Sequence, residues 1–359
     1  MKHDVAADGV NLRVDAGHRA GEAKGARAMT KTVKQVVYSE FGDPTRVLQI
    51  EEVARAPLEA GQARADVLRS PINPSDLIQV SGNYGVRPSL PAIAGNEGIG
   101  RITEVSADAK GLSVGQLVLL PAGIGVWRSE VTASAGAFIP MPEGDVDQLS
   151  MLMVNPATAQ LLLTDFVDLA VGDWIIQSAA NSAVGTYVVQ LAKALGVKTV
   201  CVVRRESAVQ ALLDQGVGVV LVDGPDLVKR VKQATGGAKM KLALDAVAGQ
   251  TFGRLGESLE IGGTLVNYGA MSNEAASMQA GAMIFRDVRV RGFWLVNWFE
   301  RASKEERMST YAALTKAVAT GTLHAPIDCI FTLDEIAEAA RYTWAGERSG
   351  KVLLAPNGI

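Results

Sequence analysis

The residues best placed for chemistry flank a predicted helix near position 190. Ala179-Ala180-Asn181-Ser182-Ala183-Val184-Gly185 follows the apolar run Trp174-Ile175-Ile176-Gln177. It precedes a helical period with Val184, Val188, Leu191 and Leu195 on one face. Set against the pattern G-x-G-x-x-G, only Gly185 is a glycine; Ala180 and Ser182 fill the other two places. Small residues there still let backbone approach a pyrophosphate, and a helix N-terminus supplies amides and a positive dipole end. A plain tight strand–helix turn has the same local composition, so the strand–helix alternation around it favours a dinucleotide. The next strand-like run ends in Arg204-Arg205-Glu206. A site for NAD usually carries an acid there for the ribose hydroxyls. Guanidinium groups suit a 2′-phosphate, which favours NADPH over NADH, the other reading being a solvated, charged helix start.

Counting narrows the remaining classes. The only cysteines are Cys201 and Cys329, and His3, His18 and His324 are the only histidines. A structural zinc takes about four Cys or His ligands, so no metal site is expected. Two distant thiols fit a reducing compartment rather than a disulfide framework. Lys and Arg number 35 against 38 Asp and Glu, a net charge of −3. Nucleic-acid binders show a basic excess instead, so no nucleic-acid partner is expected. The longest uncharged stretch, residues 174–192, carries Gln177, Ser178, Asn181, Ser182, Thr186 and Gln190, so no membrane span is expected. Residues 1–28 mix Lys2, Arg13, Arg19, Lys24 and Arg27 with Asp4, Asp8, Asp15 and Glu22. They read as a disordered extension, without the apolar core of a secretory signal or the acid-poor character of a transit peptide. A cytoplasmic location is expected, or the mitochondrial matrix if the source is eukaryotic.

Two elements of organisation must position these groups. From Lys34 to about Val154, short alternating runs broken by Gly and Pro predict a β-rich, partly closed barrel. Strand-like runs then recur at 174–177, 198–203, 217–222, 242–247, 264–268 and 288–293, with helical patterns such as 208–215 and 227–234 between them. That alternation predicts an α/β doubly wound parallel sheet. Helices at 304–320 and 334–345 and a strand at 350–354 return to the first domain. The expected division is 1–28 extension, 29–154 with 300–359 as one domain, and 155–299 as the dinucleotide domain.

Eight short strings in one order carry a family resemblance: Pro71-Ile72-Asn73-Pro74-Ser75-Asp76, Gly82-Asn83-Tyr84-Gly85, Gly95-Asn96-Glu97-Gly98, Asn155-Pro156-Ala157-Thr158-Ala159, the turn 177–185, Val202-Val203-Arg204, Tyr268-Gly269-Ala270-Met271 and Arg291-Gly292-Phe293-Trp294-Leu295. The chain resembles the zinc-free medium-chain dehydrogenase/reductases, a GroES-like β-rich domain with a Rossmann domain. Within them it is most similar to 2-enoyl thioester reductases of the mitochondrial trans-2-enoyl-CoA reductase type. Zinc-dependent relatives carry Cys near Ser75 and Gly-His-Glu where this chain has Gly95-Asn96-Glu97.

The resemblance implies NADPH-dependent reduction of the C=C bond of a trans-2-enoyl thioester, with hydride to the β-carbon. It assigns proton donation at the α-carbon to Tyr84, a phenol that is neutral near pH 7. It places Asn155, Asn181, Ser182, Ala183, Val184, Arg204, Arg205, Tyr268, Gly269, Ala270, Met271, Phe293, Trp294, Leu295, Val296 and Lys351 against the cofactor. Trp294 either walls the acyl pocket as well or is an interface or core tryptophan. The implied carrier is CoA or acyl carrier protein. Arg286, Arg289, Arg291 and Arg301 would receive its phosphates or, the more economical reading, form a solvated face. A homodimer is expected. Two alternatives stand beside this reading: a zinc-free NADPH:quinone oxidoreductase or enone reductase, and a noncatalytic NADPH-binding structural protein.

Overall fold

The computed structural model describes residues 31–358; the extension expected over 1–28 lies outside the described residues. Residues 32–358 build three sheets. The largest parallel sheet has six strands, ordered in space as Val219–Val222, Lys198–Val203, Trp174–Gln177, Met240–Asp245, Leu259–Asn267 and Arg289–Gly292. All five pairings are parallel. In chain order this is 3-2-1-4-5-6, the Rossmann arrangement, which reverses direction between Trp174–Gln177 and Met240–Asp245.

Why these segments are strands is plain from burial. Ile175, Ile176 and Gln177, then Val200 to Val203, then Leu242 to Asp245, are all buried. Near-continuous apolar runs are what a parallel sheet covered on both faces requires. The helix Ala183–Ala194 covers one face with Tyr187, Val188 and Ala192, all inaccessible to solvent. The face is therefore not quite the expected one: Val188 belongs to it, but Leu195 caps the helix and is 46% exposed.

The β-rich part consists of a seven-stranded mixed sheet and a three-stranded antiparallel sheet. Both strand paths are open at their ends, so neither sheet closes on itself. They enclose one core containing Val36, Tyr38, Ile102, Val118 and Trp127. The C-terminal strand Lys351–Leu354 pairs with Ile327–Phe331 and with Gln62–Pro71, so the chain end does return to the β-rich sheet. A second core runs unbroken from Ile99 and Leu119 through Leu162 and Ile175 to Leu353. It packs the two sheet systems together around the helix Asn155–Thr164.

Candidate active site

In a parallel sheet every strand ends at the same edge, and four of the six ends here lead into a segment expected to meet the cofactor. Beyond Gln177, Ser182 has extended dihedrals and caps the helix Ala183–Ala194, accepting the Gly185 N–H at 3.1 Å. Gly185 is a glycine for a steric reason. A Cβ there would lie 2.5 Å from the Ala180 carbonyl oxygen, so the helix packs on its strand only without a side chain. Ala179, the residue before the first pattern position at Ala180, turns the chain at φ +46°, a conformation that glycine adopts without strain. The turn is thus built with alanine at some cost in strain.

Beyond Val203, Arg204 is exposed and Arg205 half-buried. Their guanidinium groups donate to the carbonyls of Gly346 (3.2 Å) and Arg348 (3.4 Å), which holds them at the tip of the second strand. Beyond Asn267, Tyr268 and Gly269 are half-buried, whereas Ala270 and Met271 are exposed. The Tyr268 hydroxyl neighbours Ser182 but is buried without a hydrogen bond of ordinary geometry. Burial first, and the Asp245 charge second, push this phenol up. Beyond Gly292, Phe293 is buried, and Trp294, Leu295 and Val296 are half-buried at the start of the helix Leu295–Arg301.

A group that sequence reasoning missed ties this edge together. Asp245 is fully buried and accepts Ser178 Oγ (2.6 Å), Val247 N–H (3.0 Å), Ala248 N–H (2.8 Å) and Asn267 Nδ2 (3.0 Å). One carboxylate thereby fixes the ends of three adjacent strands at the point where strand order reverses. An acid closing an otherwise apolar run, Leu242-Ala243-Leu244-Asp245, was the available signal.

Tyr84 and Trp294 come from opposite parts of the chain and meet. The indole Nε1–H donates to the Tyr84 hydroxyl oxygen at 2.8 Å, and the rings cross edge-to-face at 86° and 5.8 Å. Both glycines of the loop sit at close approaches, and Gly85 serves this contact. Gly82 sits at φ +79° against Phe41, and a Cβ on Gly85 would lie 3.0 Å from Trp294 Cη2. An indole donates only, so the Tyr84 O–H stays free to donate elsewhere. Burial raises the Tyr84 pKa, the Trp294 hydrogen bond lowers it, and the Asp76 charge raises it, with a net rise. The phenol is neutral at pH 7.

Asn155 and Lys351, both expected to meet the cofactor, are buried, each 4% exposed. They belong to a buried polar cluster with Asn73, Asp76 and Glu97. Asn155 Nδ2 donates to Asn73 Oδ1 and Glu97 Oε1, both at 3.1 Å, so its amide is already committed within the protein. Asn96, where zinc-dependent relatives carry histidine, donates to Asp76 Oδ1 at 2.7 Å. Among the described residues no group of three or more His, Cys, Asp or Glu is placed to hold a metal ion. Desolvation lifts the Asp76 carboxyl to about 6 and raises Glu97, while it lowers Lys351. Of the four arginines considered for carrier phosphates, none is left unengaged. Arg286 donates to the Glu257 and Leu259 carbonyls, Arg289 pairs with Asp287, Arg291 lies over Phe166, and Arg301 pairs with Asp165.

The donor set fits a pyridine dinucleotide phosphate: amides at a twelve-residue helix start, two arginines at the neighbouring strand tip, and a buried phenol between strand ends that makes no hydrogen bond of ordinary geometry among the described residues. Comparison with known proteins gives the class first. Residues 59–143 match the alcohol dehydrogenase GroES-like domain and residues 183–314 match the zinc-binding dehydrogenase family, so the fold and site are those of a medium-chain dehydrogenase/reductase. Mitochondrial enoyl-[acyl-carrier-protein] reductase of Rattus norvegicus is 36% identical over 301 residues, 82% of this chain and 81% of the rat protein. The chain belongs to that enoyl reductase family of oxidoreductases. Among solved structures, the Etr1p complex with NADP and crotonyl-CoA is similar at TM-score 0.81 and 27% identity, covering 90% of this chain and 100% of that one. A putative NADPH:quinone reductase from Bacillus thuringiensis is similar at TM-score 0.82 and 28% identity, covering 90% and 99%. No helix among the described residues is long and apolar enough to cross a membrane.

Proposed function

We propose that this protein is an NADPH-dependent reductase of trans-2-enoyl thioesters. The Tyr84–Trp294 hydrogen bond carries the reading, because it sets a neutral phenol with a free O–H beside the expected cofactor edge. Bound NADPH supplies a hydride to the β-carbon. Asn181 to Val184, at the helix N-terminus, hold the diphosphate, and Arg204 and Arg205 hold the 2′-phosphate. The segments Tyr268–Met271 and Phe293–Val296 flank the nicotinamide end. Tyr84 gives its proton to the α-carbon as charge on the thioester oxygen collapses into the new C–H bond. The phenolate left behind keeps the Trp294 N–H, now as a charge-assisted bond, and regains a proton from water. Trp294 thereby serves the proton transfer as well as walling the acyl pocket.

The division into a 29–154 plus 300–359 catalytic part and a 155–299 cofactor part is proposed on the same grounds. The substrate would reach its cleft as a CoA or acyl-carrier-protein thioester. A homodimer is proposed from the sheet edge: Arg289–Gly292 is exposed throughout and has no second neighbour in its sheet among the described residues. Ile261, Ile284 and Phe285, exposed by 77%, 70% and 82%, lie on the adjoining strand and helix. Pairing two such edges would bury them. The cytoplasm remains the proposed compartment.

The test is NADPH oxidation by the purified chain with crotonyl-CoA, run beside a simple quinone. Turnover of the thioester supports the reading. The similarity to a protein described as a quinone reductase makes the alternative concrete: turnover of the quinone alone would overturn the enoyl assignment.

A further inference from the structure

Four distant segments converge on one buried polar cluster that the reaction above does not use. Asn73 precedes the helix Pro74–Val80, Glu97 follows the turn at Gly95, Asn155 starts the helix Asn155–Thr164, and Lys351 opens the last strand. Their exposures are 3%, 1%, 4% and 4%. Glu97 Oε1 accepts Asn73 Nδ2 at 2.7 Å and Asn155 Nδ2 at 3.1 Å, and Oε2 accepts the Val154 N–H at 3.0 Å. An amide that turns its NH2 toward a carboxylate must turn its oxygen away. Both oxygens accordingly face Lys351, whose Nζ donates to Asn73 Oδ1 and, at 3.4 Å, to Asn155 Oδ1. Two of the three ammonium donors are thus assigned; the third has no hydrogen-bond acceptor among the described residues.

We propose that Glu97 is a positioning residue for cofactor binding, acting through the carboxamides of Asn73 and Asn155 to present Lys351 to the cleft. The proposal rests on the NADPH reading. It also changes the expected division of labour, since Asn155 has spent both N–H donors inside the protein and Lys351 is the member with one to spare. Glutamine at 97 breaks the arrangement even though its shape is the same. With its NH2 toward the Asn amides, one of those must flip and turn its own NH2 toward the ammonium; with its NH2 toward Val154, that backbone N–H loses its acceptor; in both orientations the negative charge near Lys351 is gone.

The charged groups facing Lys351 are Glu97 and Asp76, which favour the ammonium, and Arg348, which opposes it; burial, the largest influence, also opposes it. The ammonium is therefore lost at lower pH than for a free lysine, and lower still once Glu97 is neutral. NADPH affinity of the full chain, read by fluorescence titration between pH 7 and pH 10, tests this above the titration of the 2′-phosphate itself, which lies near 6. Wild-type affinity is expected to decline along one limb below the ordinary lysine range. In Glu97→Gln that limb moves down by about one pH unit. A merely structural role would weaken binding evenly and leave the limb in place, which would overturn the proposal. If Glu97→Gln does not fold, Lys351→Arg decides. A guanidinium does not titrate here, so the limb must vanish, and its persistence would overturn the proposal. Crotonyl-CoA turnover by the wild type is scored separately and succeeds or fails whichever way the limb moves. No NADPH binding at any pH would sink the cofactor reading and this inference together.

Discussion

Replacing Trp294 by phenylalanine removes the indole N–H from Tyr84 while leaving an aromatic ring to meet the phenol edge. In the ground state the lost bond joins two neutral groups and contributes about 1 kcal/mol. Once the proton has left, the same donor faces a phenolate, where such a bond contributes roughly 1.5–3 kcal/mol. Only the difference bears on the rate, because equal stabilisation of ground and transition states leaves kcat unchanged. That difference, about 0.5–2 kcal/mol, corresponds to a fall in kcat of roughly 2- to 30-fold. The Tyr84 pKa should rise at the same time, because the one hydrogen bond that lowers it is gone. The assay is steady-state oxidation of NADPH with crotonyl-CoA, accompanied by a thermal melt because the indole also packs on Gly85. Unchanged kcat in a folded Trp294→Phe variant would refute the reasoning, as would a loss confined to KM.

Further outcomes follow from the same geometry. Arg204→Ala should weaken NADPH binding by roughly 10- to 100-fold, the worth of a charge-assisted contact, and barely alter NADH binding; equal losses for both would contradict a 2′-phosphate role. Gly185→Ala should lower stability by about 1–3 kcal/mol, because its Cβ has only 2.5 Å to the Ala180 oxygen; an unchanged melting temperature would count against the packing argument. Asp76, lifted from 3.8 to about 6 in the fold, holds its proton to higher pH when folded than when unfolded. Its contribution is therefore fullest below pH 3.8 and is lost as pH rises through about 6. Urea unfolding of wild type relative to Asp76→Asn should show that loss across this window, and a constant difference would refute it.

Much of this architecture was legible because apolar runs of strand length alternate with helical periods. The strand Trp174–Gln177, the strand Lys198–Val203 and the helix Leu227–Ala234 stand where the pattern put them. Boundaries shifted where hydrogen bonding rather than hydropathy decides. The strand expected at 264–268 begins at Leu259, because Gly262 and Gly263 extend it without contributing apolar character. The helix expected over 208–215 opens as a 3-10 turn at Glu206–Ala208. Tyr84 was invisible to periodicity and stood out only by resemblance, since a loop tyrosine has the same local signature whether it covers apolar surface or moves a proton. Its partnership with Trp294, 210 positions away, is a property of the folded chain alone. The Asp245 clamp and the Glu97 cluster were hidden for the opposite reason. Their partners are backbone amides and carboxamides from distant segments, which leave no spacing in the sequence.

The central claim is that Tyr84 moves a proton in the reduction of an enoyl thioester, and product formation tests it most directly. Crotonyl-CoA and NADPH are incubated with wild type and with Tyr84→Phe, after NADPH affinity has been shown to match, and butyryl-CoA is quantified. Wild type is expected to form butyryl-CoA, and the variant to form it about 10²- to 10⁴-fold more slowly, the usual contribution of a positioned general acid. Equal rates in the two proteins would contradict the account.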